Sequence, residues 1–160
     1  ESEPLYVDAL VRSIKKKISE INWKPDLIIA SYHGIPQKYF DKGDPYQCYC
    51  QKTTRLMNEK FKEISIETTF QSRFGPDKWL TPYTDKTLEN LPNKGKKSIL
   101  MICPGFSSDC VETLEEINIQ GRETFMKCGG KNFEFIPCLN DNSDHIYLLE
   151  SLVKKYLIKR

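Results

Sequence analysis

Asp26-Leu27-Ile28-Ile29-Ala30-Ser31, running on into Tyr32-His33-Gly34-Ile35-Pro36, is the stretch that decides the fold of this chain. Six residues with an apolar interior read as a short buried strand, because Pro25 has just ended the helical pattern before them. That earlier pattern is Leu5, Val7, Leu10, Val11, Ile14, Ile18 and Ile21 at helical spacing. Working outward in the other direction, a Gly-, Pro- and Asp-rich loop runs from Gln37 to Tyr46. A helix from Cys48 to Lys62 with Leu56, Met57 and Phe61 inward then leads to a second strand, Ile66 to Ser72. Phe74 to Thr84 is a loop, Thr84 to Leu91 a short helix, and Ser98 to Cys103 a third strand. Asp109 to Lys127 is expected to be a helix stopped by Gly129-Gly130. Phe133 to Pro137 is the last strand, and Asn140 to Ser143 caps a final helix with Ile146, Leu149, Val153 and Tyr156 on one face.

Strands alternating with helices imply an α/β fold. The expected form is a three-layer αβα sandwich around a four-stranded, mostly parallel, Rossmann-like sheet, with residues 1–160 as one domain. Sites in such sheets lie beyond the carboxyl ends of the strands. His33, Ser72-Arg73-Phe74 and Gly105 to Glu112 all fall on that edge.

Composition narrows the function classes. With 24 basic against 22 acidic residues the net charge is +2, too small to argue for nucleic acid as a partner. Lys15-Lys16-Lys17 and the tail from Lys154-Lys155 to Lys159-Arg160 read as solvated basic clusters, with weak attraction to an anionic membrane as the alternative. No apolar run reaches the roughly 20 residues that span a bilayer, and no signal-peptide pattern is present. A cytoplasmic setting is therefore expected, with peripheral contact at the inner membrane face left open. Six cysteines stand at 48, 50, 103, 110, 128 and 138, without the paired spacing of a zinc ribbon. No Gly-rich phosphate loop and no Gly-x-Ser-x-Gly elbow supports a nucleotide-binding or hydrolase reading.

Chemistry concentrates in two places. His33 stands past a buried strand and before Gly34 and Pro36, which permit close backbone approach and stiffen the loop. The helix at 109–127 carries Glu112 and Glu116 four apart, with Gln120 continuing that row and Val111, Leu114 and Ile117 turned toward a core. Asp109 sits at its head, where the helix dipole favours an acid. An imidazole facing carboxylates can bind a cation and accept protons. His145, by contrast, reads as a surface residue. Trp79, Tyr83 and Phe106 are aromatics that either pack a loop or wall a flat apolar pocket.

These segments carry a resemblance. Ser31-Tyr-His-Gly-Ile-Pro36, Thr69-Phe-Gln-Ser-Arg-Phe-Gly75, Trp79-Leu-Thr-Pro-Tyr-Thr-Asp85 and the run from Cys103 through Ile117 resemble, in order, the carboxyl-terminal half of the ferrochelatases. The similarity continues through Phe135 to Asn140 and covers nearly the whole chain. It implies a chelatase-type lobe and insertion of Fe²⁺, as substrate, into protoporphyrin IX with loss of two pyrrole protons, the last step of heme biosynthesis. It matches His33 and Glu112 to the family's catalytic histidine and glutamate. It also implies metal contacts at His33, Glu112, Asp109 and Glu116, and substrate contacts at Trp79, Phe106, Ser72 and Arg73. Where some members carry histidine, this chain has Cys110, and Gln120 replaces a further carboxylate. A [2Fe–2S] cluster is not expected, because Cys48 and Cys50 could supply only two of four cysteine ligands.

A family enzyme is about twice this length. The amino-terminal lobe is therefore expected to be missing, the lobe alone to be inactive, and homodimerisation to be the alternative route to a complete cleft. Coproporphyrin or another metal remains open as the substrate. A non-catalytic tetrapyrrole- or metal-binding lobe, or a plain interaction domain, are the readings from other classes.

Overall fold

A computed structural model describes residues 1–157. The basic pair Lys159-Arg160 lies outside the described residues. Helix α1 spans Pro4–Glu20 and begins with proline in its first turn, where the missing N–H costs nothing. Strand β1 is Leu27–His33, followed by the short helix α2 (Gln37–Asp41) and by α3 (Tyr46–Lys60). Strand β2 (Ile66–Gln71) leads to α4 (Thr84–Asn90), and β3 is Ser98–Ile102. A π-helix, Glu112–Gly121, runs directly into α5 (Arg122–Lys127), then β4 (Asn132–Phe135) and α6 (Ser143–Leu157).

The four strands pair in the order β2-β1-β3-β4, and every pairing is parallel. The sheet thus agrees with the α/β expectation and removes its "mostly". Period-two alternation assigns each residue to one layer. Ile28, Ala30, Phe70, Leu100 and Ile102 pack with Val7 and Ile14 from α1, Met57 from α3 and Phe61 just beyond it. Leu27, Ile29, Ile99 and Met101 pack with Leu88, Ile117 and Phe125 from α4, the π-helix and α5. The same parity turns Ser31, His33, Gln71 and Cys103 toward the π-helix layer, at the carboxyl edge.

Four expectations need correction. His33 is the last residue of β1 rather than a loop residue beyond it, so the sheet itself holds its backbone. The segment after Pro36, read as loop, forms α2. In the helix after Asp109, Val111 is 72% exposed and Leu114 is exposed too; the buried positions are Thr113, Ile117 and Gly121. The cause is the wider i→i+5 turn, which brings residues four apart under one another and swings 111 and 114 outward. Finally, His145 is buried at 4% exposure, not on the surface. Its backbone N–H is capped by Asn142, and its Nδ1 lies 2.6 Å from the Asn140 carbonyl.

The last helix does carry Ile146, Leu149, Val153 and Tyr156 on one face, and that face points outward; His145 and Leu148 face the body. Among the described residues no helix is long and apolar enough to cross a membrane.

Candidate active site

The histidine is oriented by its own strand. His33 Nδ1 lies 2.7 Å from the Gly34 carbonyl, which can only accept, so Nδ1 donates and, in the neutral ring, Nε2 is the nitrogen that holds the lone pair. Tyr46 donates to the His33 carbonyl at 2.8 Å, pinning α3 to the end of β1. The ring faces Phe106 with centroids 6.3 Å apart. Phe106 is half-buried and supplies an apolar surface beside the imidazole.

Gly34 is required by the neighbouring strand. Its N–H donates to the Gln71 carbonyl at 2.7 Å, and a Cβ at this position would meet that oxygen at 2.8 Å and the Trp79 ring at 3.3 Å. Gly34→Ala is therefore expected to cost about 1–3 kcal/mol by forcing the carboxyl ends of β1 and β2 apart. Urea unfolding of the variant checks this; a midpoint equal to the parent's would show that the strands yield freely.

Glu112 lies at the first turn of the π-helix, partly exposed on the same edge. Its carboxyl is held below the usual range chiefly by a hydrogen bond from the Cys110 thiol, with its own backbone N–H and the nearby His33 adding to the effect. Cys110 is pushed up in turn, by burial first and by that carboxylate second. Glu112 thus stays anionic in acid strong enough to protonate an ordinary glutamate.

Glu116, one π-turn on, is held differently. Its Oε1 accepts the Ser72 N–H at 2.6 Å and its Oε2 the Ser72 hydroxyl at 2.5 Å. Ser72 adopts a left-handed φ of 63°, which costs strain for a non-glycine residue and lets both donors reach one carboxylate. These groups line a cleft of about 300 Å³ between α4 and the π-helix, together with Arg73, Asp85 and Gln120. Arg73 stacks over the Tyr83 ring at 4.0 Å and pairs with Asp85 at 2.5 Å.

Asp109 accepts from Thr113 at 3.0 Å, from the Cys138 N–H at 3.1 Å and from Asn140 at 2.7 Å. Burial alone would raise its carboxyl, but the bonds from Asn140, Cys138 and Thr113 outweigh it and leave it lowered. These bonds tie the head of the π-helix to the segment after β4. Asp109→Ala is expected to cost about 1–3 kcal/mol near neutrality, because three donors lose their acceptor. A carboxyl depressed in the folded state contributes stability above its unfolded value of about 3.9, and that contribution fades as pH falls through the folded value. The difference between parent and variant should accordingly narrow below about pH 4, read from urea midpoints across pH. A pH-independent difference would mean that the carboxylate charge contributes nothing.

Trp79 is buried at 7% exposure; its indole donates to the Phe74 carbonyl at 3.1 Å. The aromatic facing outward from this loop is Phe74, 78% exposed and tilted against Trp79 with ring centroids 5.4 Å apart. The fold therefore gathers His33, Glu112 and Phe106 at one mouth, with Glu116, Ser72 and Arg73 in the adjoining cleft. Asp109 and Trp79 take holding positions behind them. Among the described residues, no three histidine, cysteine, aspartate or glutamate side chains converge as a ready-made metal cage. Cys48 is exposed and Cys50 buried, on opposite sides of α3.

Gln71 is the residue that reasoning from sequence did not single out; Phe74 was placed on the edge but given no role. Both lie inside the quoted run Thr69 to Gly75, and strand parity together with the β2 boundary would have pointed Gln71 inward.

The architecture is an all-parallel four-stranded lobe with a histidine and a carboxylate on its carboxyl edge. The fold is shared with a solved structure described as a cobalamin (vitamin B12) biosynthesis CbiX protein from Marinobacter aquaeolei VT8. The TM-score is 0.55 at 12% identity, covering 85% of this chain and all of that one. A sequence model of the family named Ferrochelatase matches residues 1–157, and this chain belongs to the ferrochelatase family. It is 52% identical over 157 residues to the ferrochelatase of Rhizobium meliloti (strain 1021), covering 97% of this chain and 46% of that enzyme. It is 48% identical over 160 residues to that of Brucella ovis, covering 99% of this chain and again 46% of the relative. The chain thus spans about half the length of the curated relatives it matches.

Proposed function

We propose that this chain is the carboxyl-terminal lobe, a single domain over 1–160, of a ferrochelatase that inserts Fe²⁺ into protoporphyrin IX. The observation that carries the reading is the pairing of a His33 Nε2 lone pair with an anionic Glu112 on one edge, beside the apolar ring of Phe106. Metal insertion breaks two pyrrole N–H bonds, forms bonds from the nitrogens to iron, and releases two protons that need acceptors. A neutral imidazole can take one, and the carboxylate can take the other or meet the arriving cation. Imidazole and carboxylate are also donors weak enough to release iron to the macrocycle. Glu116 and the cleft behind it offer the cation or protons a route along the π-helix. Phe106, with Phe74 at the rim, supplies the apolar wall for a flat ring.

The site is open on its outer side. The rest of the family's chain, or less readily a second copy of this one, would close it, and the outward apolar face of α6 is a surface available for that contact. The test replaces the matching segment of the Rhizobium meliloti ferrochelatase with this chain, and follows free-porphyrin fluorescence with Fe²⁺ or Zn²⁺ without oxygen. The chain alone is run beside it. Loss of signal in the graft that requires His33 is the expected result. A folded graft that binds porphyrin without inserting metal would instead make this a tetrapyrrole-binding lobe. Coproporphyrin in the same assay separates the porphyrin substrates.

A further inference from the structure

A buried amide spans the gap between the two halves of this site. Gln71, the last residue of β2, is 3% exposed and stands beside His33 in the β1–β2 register. Its Nε2 donates to the Glu112 carbonyl at 2.7 Å, with Glu116 Oε2 at 3.4 Å. Its Oε1 accepts from the Ser31 hydroxyl at 2.8 Å and lies 3.6 Å from the Cys103 thiol. Its backbone carbonyl takes the Gly34 N–H. Ser31 Oγ lies 2.8 Å from Thr84 Oγ1, and Thr84 Oγ1 lies 2.8 Å from Thr69 Oγ1, so a row of buried hydroxyls backs the amide from the sheet side. The side chain therefore joins the carboxyl ends of three strands to the first turn of the π-helix. Packing alone would be met by an apolar side chain of equal size, and a buried amide is costly unless its bonds are made.

We infer that Gln71 is a positioning residue: by holding the Glu112 backbone against the end of β1, it sets the separation between the His33 imidazole and the Glu112 carboxylate. Its consequence for turnover rests on the metal-insertion reading above; the anchoring does not. Displacement of a reacting group by about 1 Å can cost on the order of 100-fold in rate, so a loosened π-helix should be felt in kcat.

Two substitutions separate positioning from packing. Gln71→Met keeps the volume and loses every polar contact. Gln71→Glu keeps the shape and the acceptor toward Ser31, and loses the donor toward Glu112. Amide hydrogen exchange is measured on the full chain. In both variants the amides of 112–121 are expected to exchange about tenfold faster, with the amides of β1 and β3 unchanged. In the metal-insertion assay, kcat is expected to fall about 10- to 100-fold with the porphyrin KM held. Parental exchange across 112–121 and a kcat within twofold in Gln71→Met would overturn the assignment, since packing would then suffice. If Gln71→Met does not fold, the same criteria apply to Gln71→Glu. A parent that inserts no metal, while exchange still depends on residue 71, would remove the chelatase reading and leave the anchoring in place.

Discussion

If the metal-insertion proposal holds, replacing His33 with alanine in the grafted enzyme is expected to lower metal insertion by about 100-fold or more, with the fold intact. The backbone of residue 33 is held by the β1–β2 pairing and by Tyr46, neither of which uses the imidazole. What the substitution removes is the Nε2 lone pair of the neutral ring, the nitrogen not engaged by the Gly34 carbonyl. The loss should therefore appear in kcat, while porphyrin binding, governed by apolar surface such as Phe106, changes little. Steady-state kinetics beside a thermal melt checks both halves of this expectation. A His33→Ala protein retaining most of its turnover would require another proton acceptor.

Glu112→Gln is expected to have the second-largest effect, again about 100-fold in turnover. The amide has nearly the volume of the carboxylate and leaves the backbone bond from Gln71 untouched, so stability should move little. It cannot accept a proton or offer a negative charge to a divalent cation. In the parent, a bond from the Cys110 thiol holds this carboxyl below its ordinary value, so Glu112 should lose its charge only at lower pH than an ordinary glutamate does. Rates measured across pH with Fe²⁺ and with Zn²⁺ test this. A variant slowed equally for both metals, with unchanged metal KM, would favour proton acceptance, whereas a raised metal KM would favour cation capture.

Much of the architecture was legible before any coordinates. Pro25 and Gly129, the apolar runs of β1 and β3 and the helical spacing of α1 set the element order, because turn chemistry and periodicity are local properties. The carboxyl-edge rule then put His33 and Glu112 near one another. Where reading failed, the deciding contact was remote in sequence. A π-turn and an α-turn can be written with the same residues, so Val111 and Leu114 looked like core. Only the packing of Thr113, Ile117 and Gly121 against the body shows which turn was adopted. Gly121 lies so close to α4 that a Cβ there would meet Leu88 at 3.2 Å, a restraint that neither segment reveals alone.

His145 reads from sequence as a surface residue, and Trp79 as either loop packing or a pocket wall; the structure buries both. Packing buries these side chains, and each finds a carbonyl five residues away for its ring nitrogen, Asn140 for His145 and Phe74 for Trp79. The sequence by itself determined the elements, their order and the residue types brought to the carboxyl edge, since those follow from local periodicity and chain-breaking residues. Tertiary structure alone decided the wide helical turn, the burial of Trp79 and His145, and the reach of Gln71 from β2 to Glu112. Those outcomes depend on how distant surfaces fit and on which buried polar atoms find partners.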